Sequence, residues 1–196
     1  MCEFFANYMG DLSNGSLPPG LVAGSIPFMN ARTNRRTKGY LGDQHRKFLV
    51  VVDDTPECLV ALRYASRRAL HTGGGVTLLM VISPADFQHW LGVEQVMREE
   101  AEEEARKVLE KFAVEVQSVA GIMPELVIRH GQNTAEISAI VEEDDAISIL
   151  VLGAGIETEG PGPLVSMFAG ASAGTFPIPV TIVPGELSDA DIEALA

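Results

Sequence analysis

Five short apolar runs, most of them with no polar alternation, constrain this chain more than any other feature. They are Phe48–Val52, Val76–Ile82, Glu125–Arg129, Ile147–Leu152 and Val180–Val183. A strand that is apolar on both sides must be covered on both sides. The stretches between the runs carry apolar residues at helical spacing, and no hairpin turn joins one run to the next. Strands that alternate with helices pair in parallel through right-handed crossovers. The expected fold class is therefore α/β: an open five-stranded parallel sheet with helices on both faces, spanning residues 47–185.

Local signals mark the helices. Thr55-Pro56 reads as an N-cap followed by proline at the first helical position; Leu59, Leu62, Ala65 and Ala69 follow on one face, and Gly73-Gly74-Gly75 stops the run. A long amphipathic helix is expected from about Val93 to Val119. Its apolar face runs through Ala105, Leu109, Phe112 and Val116, opposite a face dominated by Glu99–Glu104. Asn133 and Glu136 have the spacing of a reciprocal cap for a helix carrying Ile137, Ile140 and Val141. A further helix is expected over Leu164–Ala173, after a Gly/Pro loop from Gly153 to Pro163. Residues 186–196 read as a polar, acidic tail free to fray.

Charge divides the chain. Residues 1–46 hold five basic side chains against three acids, whereas the remainder holds nine against 24, and the whole carries −13. The first 46 residues show turn dipeptides but no sustained apolar period, and read as a tail or linker; a start assigned too far upstream, with Met29 as the alternative, explains them equally well. A field of this sign repels a phosphate backbone, so no nucleic-acid partner is expected. No apolar run approaches the 18–20 residues of a membrane helix, and no secretory signal is evident, so no membrane association is expected and the expected location is cytoplasmic. The two cysteines, Cys2 and Cys58, make neither a disulfide framework nor a zinc motif, and no two of the four histidines share a metal-ligand spacing.

The ordered set of local motifs resembles the universal stress protein family over residues 47–184. Leu49-Val50-Val51-Val52-Asp53-Asp54-Thr55 is similar to the family's opening strand with its terminal aspartate. Leu79-Met80-Val81-Ile82 resembles its second strand, and Gly131 sits where members turn into the third helix. Ile149–Gly153 resembles the fourth strand and Pro177–Val183 the fifth. The resemblance implies a Rossmann-like sheet, a role in stress response and a homodimer; the final strand, Val180–Val183, is expected to pair or pack against the second copy, since an apolar edge strand otherwise invites uncontrolled association.

One branch of that family binds ATP through a pattern of Gly, two residues, Gly, nine residues, Gly, then Ser or Thr. Starting at Gly153, this pattern places Ile156 at the second glycine, Ser166 at the third and Met167 at the hydroxyl. A phosphate loop needs converging N–H groups and the close approach that glycine permits. Ile156 puts a β-branched side chain there, Pro161 and Pro163 lack N–H donors, and Glu157 and Glu159 add negative charge. Gly155, Gly160 and Gly162 offer the material for a different cradle. Asp53, at the carboxyl edge of the sheet where such folds bind ligands, has two readings: a ribose or adenine contact, as the resemblance implies, or a helix-cap aspartate. Val81 resembles a position that contacts adenine through its backbone, or else is core.

His130 at a strand end, Cys58 in a first helical turn, Ser166 and Ser172 outside any Gly-x-Ser-x-Gly setting, and Trp90 near Phe87 and His89 are the other candidates for chemistry. None completes a nucleophile–base–stabiliser set. The expected function is a non-enzymatic, dimeric interaction or regulatory module with an unidentified protein partner and no required cofactor, in which ATP binding is weak or lost. The alternative is a regulatory module that binds AMP or ATP between Asp53 and the Gly153–Ser166 loop.

Overall fold

The structure is a computed structural model, and it describes residues 45–53, 55–83, 94–156, 160–170 and 173–196. The expectations for residues 1–44, Asp54, Phe87, His89, Trp90, Glu157, Glu159 and Ser172 lie outside those residues. Five strands form one sheet: β1 (Lys47–Val51), β2 (Gly75–Ile82), β3 (Glu125–His130), β4 (Ile147–Ala154) and β5 (Val180–Pro184). Every pairing is parallel, in the order β3-β2-β1-β4-β5. The helices are α1 (Pro56–Thr72), α2 (Glu94–Ala120), α3 (Asn133–Glu143), α4 (Pro163–Ala169) and α5 (Asp189–Leu195).

The two-residue period of the strands sends alternate side chains into two cores. Phe48, Val50 and Val52 join Leu62, Leu109 and Phe112 on the face covered by α1 and α2. Leu49 joins Leu79, Ile137, Leu150 and Phe168 on the face covered by α3 and α4. Leu49, Leu62, Leu78 and Leu150 are fully buried; each such side chain contributes about 1.5–3 kcal/mol relative to exposure. The open layer sandwich expected from the unbroken apolar runs is thus the observed fold.

Lys47 ties the amino-terminal edge of the sheet together. Its Nζ donates to Glu125 Oε2 and Asp144 Oδ2, each at 2.8 Å. Partial burial pushes the ammonium pKa down, but the two carboxylates outweigh that and the net shift is upward.

Three expectations are corrected. Gln132, not Asn133, is the N-cap of α3, and it makes no side-chain cap bond. Gly131 is tucked against the Glu136 side chain, so that carboxylate does not close a reciprocal cap on Asn133. The helix after the glycine loop ends at Ala169, four residues short of Ala173, with Gly170 at its C-cap. The acidic end is not an irregular tail: Ser188 caps α5 in a complete capping box with Asp191, and Ile192 is buried. The helix is held against α1 by Arg63 to Asp189 (3.0 Å), Arg67 to Glu193 (3.0 Å) and Arg68 to the Ala196 carbonyl (2.9 Å). Arg63 also reaches Glu115 of α2 at 2.6 Å, so one guanidinium links three helices.

Candidate functional site

Strand order reverses between β1 and β4, since β2 and β3 lie to one side and β5 to the other. In open α/β sheets the carboxyl ends of the strands at such a point leave a crevice. A cleft of about 180 Å³ opens there, bordered by Asp53, Glu57, Cys58, Asn133, Gly153 and Leu164. A larger one of about 620 Å³ lies beside it, bordered by Thr55, Glu57, Gly155, Ile156, Ser166 and Gly185. Thr55, Glu57, Gly162 and Pro163 border both, which makes them two lobes of one site.

Asp53 stands where β1 ends, exposed to the inner lobe. Its Oδ1 accepts from the Thr55 hydroxyl at 2.6 Å, while Thr55 Oγ1 accepts from the Cys58 amide at 3.3 Å. The expected cap at Thr55 is present, and Asp53 braces it; its carboxylate also borders the lobe, so both sequence readings of this residue have a structural counterpart. Cys58 lies under the same turn with its thiol donating to the Val51 carbonyl at 3.5 Å. Burial, above all, pushes that thiol up to about 12, with Asp53 and Glu57 adding repulsion. Thiolate chemistry is closed to it near neutral pH.

Gly153 is required by close packing. A Cβ there would lie 2.6 Å from the Glu57 carbonyl carbon and closer still to the oxygen. The glycine therefore lets the end of β4 pass directly under the first turn of α1. Gly155 is close-packed for a related reason: its Cβ would come 3.1 Å from Glu57 Oε1 and 3.3 Å from the Gly160 carbonyl oxygen.

Two residues of the loop use their hydrogen-bond donors internally. The Gly155 amide donates to the Pro161 carbonyl at 3.3 Å. The Ser166 amide and hydroxyl both donate to the Gly162 carbonyl, at 3.0 and 2.8 Å. Pro56, Pro161 and Pro163 have no N–H, and the Cys58 amide is capped. Helix N-termini attract anions through free amides and the dipole; at α1 the Thr55 side chain caps the Cys58 amide and Glu57 sits in the first turn against the dipole. A phosphate charge 4 Å from that carboxylate would meet roughly 4 kcal/mol of repulsion at an effective dielectric near 20.

The remaining sequence candidates divide. Ile156 is 63% exposed at the mouth of the outer lobe. Met167 is exposed on α4, and Val81 is half-buried against the α3–α4 core; neither borders a lobe among the described residues. His130 binds Glu102 of α2 at 2.8 Å. Glu57 and Asn133 border the site; the sequence singles out Asn133 only as a helix cap and does not single out Glu57. Glu57 read as an ordinary first-turn acid, and only its contact with two glycines reveals its place. Among the described residues no three His, Cys, Asp or Glu side chains gather as metal ligands, and no helix is long and apolar enough to cross a membrane.

Comparison with known proteins agrees with this architecture. A model of the Universal stress protein family matches residues 44–184. Among solved structures, the universal stress protein UspA from Lactobacillus plantarum superposes with a TM-score of 0.59 at 17% identity, covering 72% of this chain and 99% of its own. The hypothetical protein MJ0577 gives 0.60 at 22% identity, with 74% and 99% covered. A universal stress protein family member from Burkholderia pseudomallei gives 0.55 at 16%, with 73% and 98% covered. No curated protein matches. The family match takes in β1 to β5 and stops before α5; the chain belongs to the universal stress protein family.

Proposed function

We propose that this protein is a cytoplasmic, non-enzymatic stress-response module that acts as a homodimer, with a cleft that does not hold a nucleoside triphosphate tightly. The observation that carries the reading is the internal use of the donors of Gly155 and Ser166. Gly155 and Ser166 spend theirs on the Pro161 and Gly162 carbonyls, and Glu57 lies against Gly155 where an anion would have to approach. The cleft's titratable groups among the described residues are carboxylates and a deeply buried thiol, a set without a base paired to a nucleophile.

The dimer reading rests on β5. It is a terminal strand of the sheet, and Ile182 on it is 39% exposed. An apolar edge of this kind invites pairing with another copy. Size-exclusion chromatography with light scattering should return twice the 21.0 kDa chain mass, and native mass spectrometry of the purified protein should show that dimer without nucleotide. A monomer, or a dimer carrying one nucleotide per chain, would contradict the proposal.

A second reading, in which AMP or ATP binds, draws on Asp53 bordering the inner lobe at the switch point. A ligand at 100 times its Kd should then stabilise the fold by about 2.7 kcal/mol. No thermal shift with millimolar ATP and magnesium would discard it.

A further inference from the structure

Two acids of α5 and two arginines of α1 are matched in spacing and in order. Asp189 and Glu193 stand four residues apart, as do Arg63 and Arg67, and Arg63 pairs with Asp189 as Arg67 pairs with Glu193, each at 3.0 Å. Residues four apart share a helix face, so the acidic side of one helix meets the cationic side of the other in a single register. Ile192, between the two acids in the chain, is buried. Arg68 closes the far end by donating to the Ala196 carbonyl at 2.9 Å. Residues 186–196 carry four acids and no base.

This contact is separable from the sheet domain. The family match ends at residue 184, and the buried Ile192 belongs to neither sheet core. The seven residues of α5 fall well short of the roughly 12–15 that an isolated helix needs, so its form depends on the surface beneath it. The Asp189 and Glu193 side chains are more than half exposed, and ion pairs of that kind contribute little and weaken with salt. The chain leading into α5 is pinned: the Gly185 amide donates to the Ala154 carbonyl at 3.0 Å, and Leu187 packs on the core beneath α1 and α2. That pinning keeps α5 beside its own α1 and out of reach of a second copy.

We propose that the Arg63, Arg67 and Arg68 face of α1 is a docking surface for an acidic amphipathic helix of another protein, and that α5 is its resident occupant, displaced when the partner binds. Charge complementarity sets the partner's chemistry: two acids four residues apart with an apolar side chain beside them, the pattern that Asp189, Ile192 and Glu193 already present. Helices recognised in this way are read through anchors one turn apart. A tethered occupant competes at an effective concentration on the order of millimolar, so the surface is closed to weak acidic segments and open to a helix with a larger apolar face. On release of α5, Arg63 keeps Glu115, while Arg67 and Arg68 turn to the incoming helix. The proposal concerns a surface distinct from the cleft and from the β5 edge, and requires neither reading.

The probe is a fluorescein-labelled peptide of residues 186–196, read by fluorescence polarisation against the full chain at low salt. A chain carrying Asp189→Lys and Glu193→Lys, whose own α5 no longer answers the arginines, should bind the peptide about tenfold or more tighter than the parent chain does. Adding Arg67→Glu to that chain should remove the gain, as should raising the salt to about 0.5 M. The same two lysine changes made in the peptide should abolish its binding. If the doubly substituted chain melts too low to be measured, Ile192→Ala alone, which trims the apolar anchor, should give a smaller gain in the same direction. On the parent chain, millimolar peptide should move the α5 amide NMR signals towards free-chain positions. Equal affinity in parent and variant, binding that survives Arg67→Glu, or no binding at all would overturn the proposal. Assemblies of the parent chain that grow with concentration and vanish on Arg67→Glu would give the face to a second copy and overturn its assignment to another protein.

Discussion

Gly153 and Glu57 are in backbone contact: the end of β4 passes so close beneath the first turn of α1 that a single methyl group at Gly153 would overlap the Glu57 carbonyl. The neighbour is main chain at the start of a 17-residue helix, so it cannot swing aside as a flexible side chain would. Gly153→Ala should destabilise the fold by about 1–3 kcal/mol, the usual range for overpacking. Urea denaturation should show a lower midpoint at unchanged slope. An unaltered midpoint would mean that the strand and helix are not held this closely.

Cys58 is protected by the same turn. Its thiol, raised from 9.0 to about 12 by burial first and by neighbouring carboxylates second, should resist alkylation at pH 8 in the folded protein and react readily in urea. A Cys2→Ser background isolates the signal. The raised folded pKa makes the contribution to stability complete below pH 9.0, and it is lost progressively as pH climbs from 9.0 towards 12. Rapid labelling of the native protein at pH 8 would contradict this.

The closing helix should behave as part of the folded unit. Arg63→Ala removes contacts to both Glu115 and Asp189 and should cost about 0.5–1.5 kcal/mol, discounted because one partner is well exposed. The Ser188 hydroxyl and amide hold the Asp191 carboxylate below its usual 3.8. That stabilisation is present above pH 3.8 and is lost as pH falls through the lower folded value. Hydrogen exchange should show slowed amides in α5 at pH 6; exchange at the rate of free chain would show that it does not dock.

The strands were legible because burial on both faces leaves an unbroken apolar run, as at Val50 and Leu150. The cap at Thr55 was legible because the hydroxyl and the following proline are local signals. α5 was not, since its seven residues bury only Ile192 fully and its anchors, Arg63, Arg67 and Arg68, lie more than 120 positions away in the chain. The role of Glu57 was hidden for the same kind of reason. Its meaning depends on Gly155 and Gly185, and their approach depends on the sheet having formed. Gly153 is ambiguous in the sequence for another reason, since a glycine needed for close packing matches the same pattern as one needed for a ligand.

β5 offers the test of assembly. Ile182→Glu places a charge on the exposed side of the terminal strand while leaving the buried Val183 intact. The variant should elute as a folded monomer with unchanged circular dichroism where the parent is a dimer. A variant that stays dimeric would move the interface away from this strand.

The central claim is that the glycine loop does not seat a triphosphate tightly, because Gly155 and Ser166 turn their donors inward and Glu57 lies against Gly155. Isothermal titration of the purified protein with ATP and magnesium tests this most directly. The account expects no saturable heat up to millimolar ATP, corresponding to less than about 4 kcal/mol of binding free energy. A one-to-one isotherm with micromolar Kd, about 8 kcal/mol, would contradict it.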